Sequence, residues 1–277
     1  MEETIAIGAL GGSGTRAIAQ VLIDAGVYMG DNLNNANDNK LFTRLFKDPA
    51  LFNDADKTKI QERLSVFGEY MRTNHLSWKS TKLVLTASFR NSLTRNSFKF
   101  NMRVLGKTFS TPRNRETWGW KEPNTQIYLQ EIDAYFDNLK YLHVIRHGLD
   151  MAFSGNRKQL TNWGYRYNIH IGPDDTEQDI AYKQLEYWIQ STREAIEKGE
   201  HLRGEFLLLN HSEFCARPKE QIDRMLDFIE IDVPPDKRTA LYAIPRTPRT
   251  AGRFRQHDLG LFDQAQLDYV REMGFDI

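Results

Sequence analysis

Ile5-Ala6-Ile7-Gly8-Ala9-Leu10-Gly11-Gly12-Ser13-Gly14-Thr15-Arg16-Ala17-Ile18-Ala19-Gln20-Val21-Leu22 reads as a buried strand, a glycine-rich turn and an amphipathic helix. A strand feeding a helix in this way is the opening unit of an α/β protein, and the first helical turn aims backbone N–H groups at whatever lies before it. Gly11, Gly12 and Gly14 lack the Cβ atoms that would hold an anion off the backbone, while Ser13 and Thr15 add hydroxyl donors. The stretch predicts a loop that holds a nucleotide phosphate. The plainer reading is a turn without a ligand.

Two familiar loops compete for this pattern. In a Walker A loop the second glycine follows the first by about five positions and precedes Lys-Ser/Thr; here Gly14 follows Gly8 by six, and Thr15-Arg16 stand in that place. An ordinary P-loop kinase is therefore disfavoured. Gly12-Ser13-Gly14-Thr15-Arg16-Ala17 does satisfy the looser Gly-x-Gly-x-x-Ala dinucleotide pattern, with Asp31 about twenty residues on where a ribose-binding acid belongs. That reading stays open at this point.

The rest of the chain narrows the class. Its 277 residues bury a full core without staples, and 37 Lys+Arg against 37 Asp+Glu give no global attraction to nucleic acid or membrane. Cys215 is the single cysteine, so no disulfide forms within the chain and a reducing, cytoplasmic setting is expected. No apolar run is long enough to span a membrane, and no charged-then-apolar leader precedes Ile5. No close His/Cys/Asp/Glu cluster has ligand spacing, so no metal is expected. Charge is uneven along the chain: between Glu69 and Glu116 there is no acid, but Arg72, Lys79, Lys82, Arg90, Arg95, Lys99, Arg103, Lys107, Arg113 and Arg115 all occur. Such a segment is a solvated basic helix face or a field for an anionic acceptor.

Downstream, Gly30 to Asn39 is a polar loop near the glycine turn, offering Asp31 and Asp38 as bases; alternatively Asp38 caps a helix over 40–47. Residues 54–110 read as a helical insertion, with Ile60, Leu64, Phe67, Tyr70 and Met71 on one face and Leu83, Leu85, Phe89 and Leu93 on the next. Trp118 to Asn124 reads as a short strand stopped by Pro123, which opens a helix to Phe136, and puts Lys121 at a strand's carboxyl end, where open α/β sheets bind ligands. Residues 139–145 form the clearest strand, turning through Arg146-His147-Gly148 into a helix that carries Ser154. Residues 162–175 read as a long loop, 176–198 as a long helix, 205–209 as a further core strand and 218–230 as a Pro-started helix. The stretch 246–255 holds four arginines, a candidate anion clamp ahead of a last helix over 263–273.

Taken in order, these pieces resemble the sulfotransferases that use 3′-phosphoadenosine 5′-phosphosulfate (PAPS). Gly12-Ser13-Gly14-Thr15-Arg16 is similar to the family's 5′-phosphosulfate loop of the type x-Ser-Gly-Thr-Thr. Arg146 and Ser154 match the Arg and the Ser eight residues later that bind the 3′-phosphate, and Gly252-Arg253 resembles a Gly-Arg that closes over the nucleotide. The stretch 209–214 with Pro218 to Glu230 is a looser echo of a further family segment. The resemblance runs from Ile5 to about Phe275 and implies one domain over 1–277: a P-loop-like nucleotide-binding fold, a parallel sheet flanked by helices.

It further implies PAPS as donor, 3′,5′-adenosine bisphosphate (PAP) as product, no metal, and a glycan, lipid or small metabolite as acceptor, with no nucleic acid involved. Gly11, Gly12, Ser13, Gly14, Thr15 and Arg16 would hold the 5′ end, and Arg146, Ser154, Gly252 and Arg253 the 3′ end. Two departures stand out: Gly12 replaces a usual Lys or Arg, and Arg16 a usual hydroxyl residue. Lys121, in a Lys-x-Pro that resembles the catalytic lysine segment of tyrosylprotein and glycan sulfotransferases, would supply the missing charge together with Arg16. Asp38 would take the acceptor proton, with Asp31, His147 and His75 as other candidates. A nucleotide kinase, an NAD(P) oxidoreductase and a catalytically lapsed nucleotide-binding member are the competing readings.

Overall fold

A computed structural model describes residues 3–54, 56–89 and 95–277. Arg90 and Leu93 of the sequence reading lie outside the described residues, as do the side chains of Phe89 and Arg95.

Strand β1 (Glu3–Ala9) runs into α1 (Thr15–Asp24), and Gly26 ends that helix with φ +104°. After the polar loop come α2 (Lys40–Phe46), α3 (Pro49–Asn53), α4 (Thr58–Thr73), α5 (Trp78–Phe89) and α6 (Arg95–Lys107), so the stretch before the second strand is helical as expected. Asn39, not Asp38, caps α2: its Oδ1 accepts from Leu41 N and Phe42 N, both at 3.1 Å. That leaves Asp38 free of a capping role.

Strand β2 (Thr117–Lys121) is followed by a 3₁₀ turn (Pro123–Tyr128) and α7 (Leu129–Tyr135), a tighter start than the single helix expected there. Strand β3 (Leu139–Ile145) leads into the short α8 (Gly148–Ala152), which stops before Ser154. The expected long loop over 162–175 is partly helical, since α9 (Lys158–Trp163) and a 3₁₀ turn (Gly164–Tyr167) occupy its start. Then α10 (Glu177–Glu200) opens on a capping box in which Thr176 Oγ1 accepts from Asp179 N at 3.2 Å and Asp179 accepts from Thr176 N at 2.9 Å. Strand β4 (Glu205–Asn210), α11 (His211–Ala216), α12 (Pro218–Phe228), α13 (Pro235–Leu241), two 3₁₀ turns (Arg253–Gln256 and Leu259–Leu261) and α14 (Gln264–Glu272) complete the described elements.

The four strands pair in parallel in the order β2-β1-β3-β4. Register pairs Ile7 with Lys121 on one side and Ile7 with Leu142 on the other. Because side chains alternate across a strand, β1 sends Ile5, Ile7 and Ala9 to one face and Ala6 to the other. The first face is covered by Ile18 and Leu22 of α1 with Ile222 and Met225 of α12. On the second, Trp118 and Trp120 meet Phe42 of α2 and Phe67 of α4, with ring centroids of Phe67 and Trp120 5.1 Å apart. Helical crossovers between successive strands let all four run the same way, and so bring their carboxyl ends to one edge. Among the described residues, no helix is long and apolar enough to cross a membrane.

Candidate active site

That edge opens into a cleft of about 930 Å³. The glycine loop leaves β1, Lys121 ends β2, Arg146 follows β3, and His211 follows β4; each contributes to the wall. Four remote segments thus meet where the sheet's topology sends them.

Backbone builds the first half. Gly12 and Gly14 hold φ of +104° and +82°, a region that glycine enters without penalty. A Cβ on Gly14 would stand 2.0 Å from His211 Nε2, so the loop lies directly on that imidazole. Ser13 is 1% exposed and its hydroxyl has no hydrogen-bond partner among the described residues. The start of α1 has no side-chain cap and no acid in its first turn. A buried hydroxyl without a partner beside an uncapped helix start is what an anion would complete. Neighbours hold the loop open from outside: Asn156 Nδ2 donates to Gly11 O at 3.1 Å, and Gln159 accepts from Gly11 N. Burial, aided by the Arg146 charge, pushes the His211 pKa down to about 4, so the loop rests on a neutral ring.

Arg146 donates to Gly12 O at 3.1 Å and to Thr250 Oγ1 at 2.9 Å, and lies 3.7 Å from Asp150. Burial lowers its pKa and Asp150 opposes that shift. Gly252 N donates to Asp150 Oδ2 at 3.0 Å, while Arg253 donates to Thr250 O and Phe153 O, each at 3.3 Å. Gly252 and Arg253 therefore form a layer behind Arg146, and from their segment Arg246 and Thr247 reach the cleft wall. Ser154 is not on that wall; its hydroxyl accepts from Asn156 N at 3.2 Å and it lines a separate cavity of about 290 Å³.

Side chains build the second half. Lys121, 2% exposed, donates to Asp38 Oδ1, and Asn34 Nδ2 donates to Asp38 Oδ2 at 2.7 Å. Two residues singled out separately in the sequence are thus an ion pair. Burial lowers the Lys121 pKa, and Asp38 counters it. Glu122 behind them is pushed up to about 7, by burial first and then by the Asp38 charge. It accepts from Asn124 N at 2.6 Å and Asn124 Nδ2 at 3.0 Å. Arg16, on the exposed side of α1, also lines the cleft.

Three proposed bases lie elsewhere. Asp31 accepts from Tyr70 and Lys107, His75 Nδ1 sits 2.9 Å from Ser110 O, and His147 Nε2 sits 2.8 Å from Asp276 O. None of them lines the cleft. In return, Glu122, Asn156, Gln159 and His211 do, without having been singled out as site residues. For His211 a signal existed, since it follows a core strand as Arg146 does. Asn156 and Gln159 carry none, because their role depends on a carbonyl and an amide more than 140 positions away.

A profile of the sulfotransferase family matches residues 6–235. Among solved structures, the sulfotransferase domain of the olefin synthase from Synechococcus PCC 7002 aligns over 100% of this chain and 96% of its own, with a TM-score of 0.50 and 16% identity. A sulfotransferase from Mycobacterium avium aligns over 100% of this chain and 77% of its own, with a TM-score of 0.50 and 12% identity. At these identities the likeness is one of fold. The sequence has no match among curated proteins.

Proposed function

The chain belongs to the sulfotransferase family, and on that premise we propose that it moves a sulfuryl group from PAPS to a hydroxyl or amine of a second substrate, leaving PAP. In this reading all 277 residues serve one catalytic domain working in a reducing compartment, the cytoplasm. The observation that carries it is the meeting, in one cleft, of the glycine loop at the start of α1 with a buried Lys121–Asp38 pair.

The residues present fit a nucleotide with phosphates at both ends. The loop from Gly11 to Arg16 and the start of α1 would hold the 5′ end through backbone N–H groups. Arg146 would hold the 3′-phosphate, with Gly252 and Arg253 supporting it from behind through Asp150 and Thr250, while Ser154 would reach it only if its side chain moved off the separate cavity it lines. When bound, PAPS supplies the sulfuryl group and a phosphate that leaves. Lys121 and Arg16 place positive charge where negative charge grows on that phosphate, which suits Lys121's burial, since charge acts more strongly away from water. Asp38, oriented by Asn34, takes the acceptor's proton. As the acceptor's oxygen or nitrogen bonds to sulfur, the bond from sulfur to the phosphate oxygen breaks. No charge needs a metal to balance it in this scheme.

Thermal-shift titration tests the donor. PAP at a hundred times its dissociation constant should add about 2.7 kcal/mol of stability, and 5′-AMP, ATP with Mg²⁺ and NAD should add less. Stabilisation by ATP or NAD in preference to PAP would favour a kinase or an oxidoreductase and overturn the assignment. Selective PAP binding without label transfer from PAPS to any of a panel of hydroxylated acceptors would identify a lapsed member.

A further inference from the structure

Beyond Lys121 the cleft continues into a second compartment of about 1,020 Å³, sharing Arg16, Asn34, Thr43 and Lys47 with the first. One side of α2 lines it, together with Phe100 of α6, whose ring centroid lies 5.7 Å from the Arg44 guanidinium, and Asn162 of α9. Arg16, Lys40, Arg44 and Lys47 line it, and no carboxylate does. Among the described residues none of these four has an ion-pair partner.

The pattern is written into α2. Leu41, Phe42, Leu45 and Phe46 fill the core, so helical spacing turns Lys40, Thr43, Arg44 and Lys47 to the opposite face. The helix dipole favours Arg44 in the last turn and Lys47 at the C-cap, but not Lys40, which occupies the helix start and repels Arg44 at i, i+4. Arg44 is also held in place, donating to Ser97 Oγ at 2.9 Å. Among the described residues this row of cations forms no close ion pair, and Glu122 near Lys47 is the acid within its electrostatic reach, so the wall is complementary to an anion.

We propose that this compartment receives the acceptor, and that the acceptor is an anionic saccharide. Its sulfate, phosphate or carboxylate groups sit on Lys40, Arg44 and Lys47, and the amides of Asn34, Asn35 and Asn162 meet its hydroxyls. One hydroxyl then lies toward Asp38, on the first compartment's wall. The wall's amides and cations favour a sugar over an apolar alcohol, since its apolar members are only Ala36, Pro49 and the largely buried Phe100. The identity of this ligand as acceptor rests on the sulfuryl-transfer reading, whereas its binding does not.

The test uses a short dextran sulfate, the uncharged dextran of equal length and an oligoglutamate of equal charge, each titrated calorimetrically into the full chain at low and moderate salt. Dextran sulfate is expected to bind, more weakly as salt rises; dextran is expected not to bind, and oligoglutamate to bind at least about tenfold less tightly. The double variant Lys40→Gln/Arg44→Gln should weaken dextran sulfate about tenfold or more, with the PAP thermal shift retained. Lys79→Gln/Lys82→Gln, on a separate cleft beside α5, should change nothing. Equal binding of dextran, no binding of dextran sulfate, or equal loss in the two double variants would overturn the site. Oligoglutamate binding as tightly would overturn the saccharide assignment. Dextran sulfate that binds through α2 in a protein blind to PAP would retain the anion site and remove the transfer reading; the reverse result would remove only the site.

Discussion

The two halves of the cleft are made of different material. Around Gly11, Gly12 and Gly14 the wall is the polypeptide itself, with positive φ at Gly12 and Gly14 and a helix start that has no side-chain cap. Across from it, the Lys121–Asp38 pair, Glu122 and the cationic face of α2 are side chains brought together from two segments, 38–47 and 121–122. Backbone N–H groups hold a phosphate in the same way whatever the reaction, so that half suits recognition of a fixed donor. Side chains carry charge and protons that can differ from protein to protein, so the second half suits the chemistry and the choice of acceptor. Substitutions should therefore separate binding from turnover along this line.

The sharpest separation is expected from Lys121→Ala. Loss of a group that acts mainly on developing charge should lower kcat about 100- to 1,000-fold, while PAP affinity measured by titration changes little. A large loss of PAP affinity with kcat retained would erase the distinction between the halves. Next, Arg146→Gln should reduce the preference for PAP over 5′-AMP by about tenfold to a hundredfold, the value of a charge-assisted contact. An unchanged preference would place the 3′-phosphate elsewhere.

Gly14→Ala should destabilise the fold by about 1–2 kcal/mol through its positive φ alone, with a further loss from displacing His211. Gly26→Ala isolates the first part, because Gly26 has φ +104° and its added methyl would meet nothing within 4 Å. Equal urea midpoints for the two variants would show that the imidazole yields freely.

The last effect is in pH dependence, which the two groups largely cancel in the intact protein, and it has opposite signs in the two halves. Glu122 binds its proton more tightly when folded, about 7 against an ordinary 4.5, so its contribution is full below pH 4.5 and lost as pH rises toward 7. His211 binds its proton less tightly when folded, about 4 against 6.5, so its contribution is full above pH 6.5 and lost as pH falls toward 4. Each slope is at most about 1.4 kcal/mol per pH unit, and in the intact protein they oppose each other between pH 4.5 and 6.5. Glu122→Gln should expose a stability that rises with pH over that window, and His211→Asn one that falls. Urea unfolding at several pH values reads both, and parallel curves for the two variants would refute the assignment.

The same division explains what could be read from residues alone. Strand, glycine turn and helix over 5–22 are local: periodicity, lack of Cβ atoms and helix start lie within one short stretch, and the structure has β1 and α1 there. Strand-end positions such as Lys121 and Arg146 were also legible, because a parallel sheet sends the end of every strand to one edge. Residue chemistry named Asp38 as a candidate, but only the fold joined it to Lys121, 83 positions away, and only the fold took Asp31 to Lys107 and His147 to Asp276. Glu122 looked like part of a strand ending; burial beside Asp38 is what holds its proton near neutrality. Local order follows from forces between neighbours in the chain, so the sequence determined the opening strand, glycine turn and helix. Charge, burial and proton affinity depend on whatever the fold packs alongside, so the tertiary structure decided which side chains form the second half of the cleft.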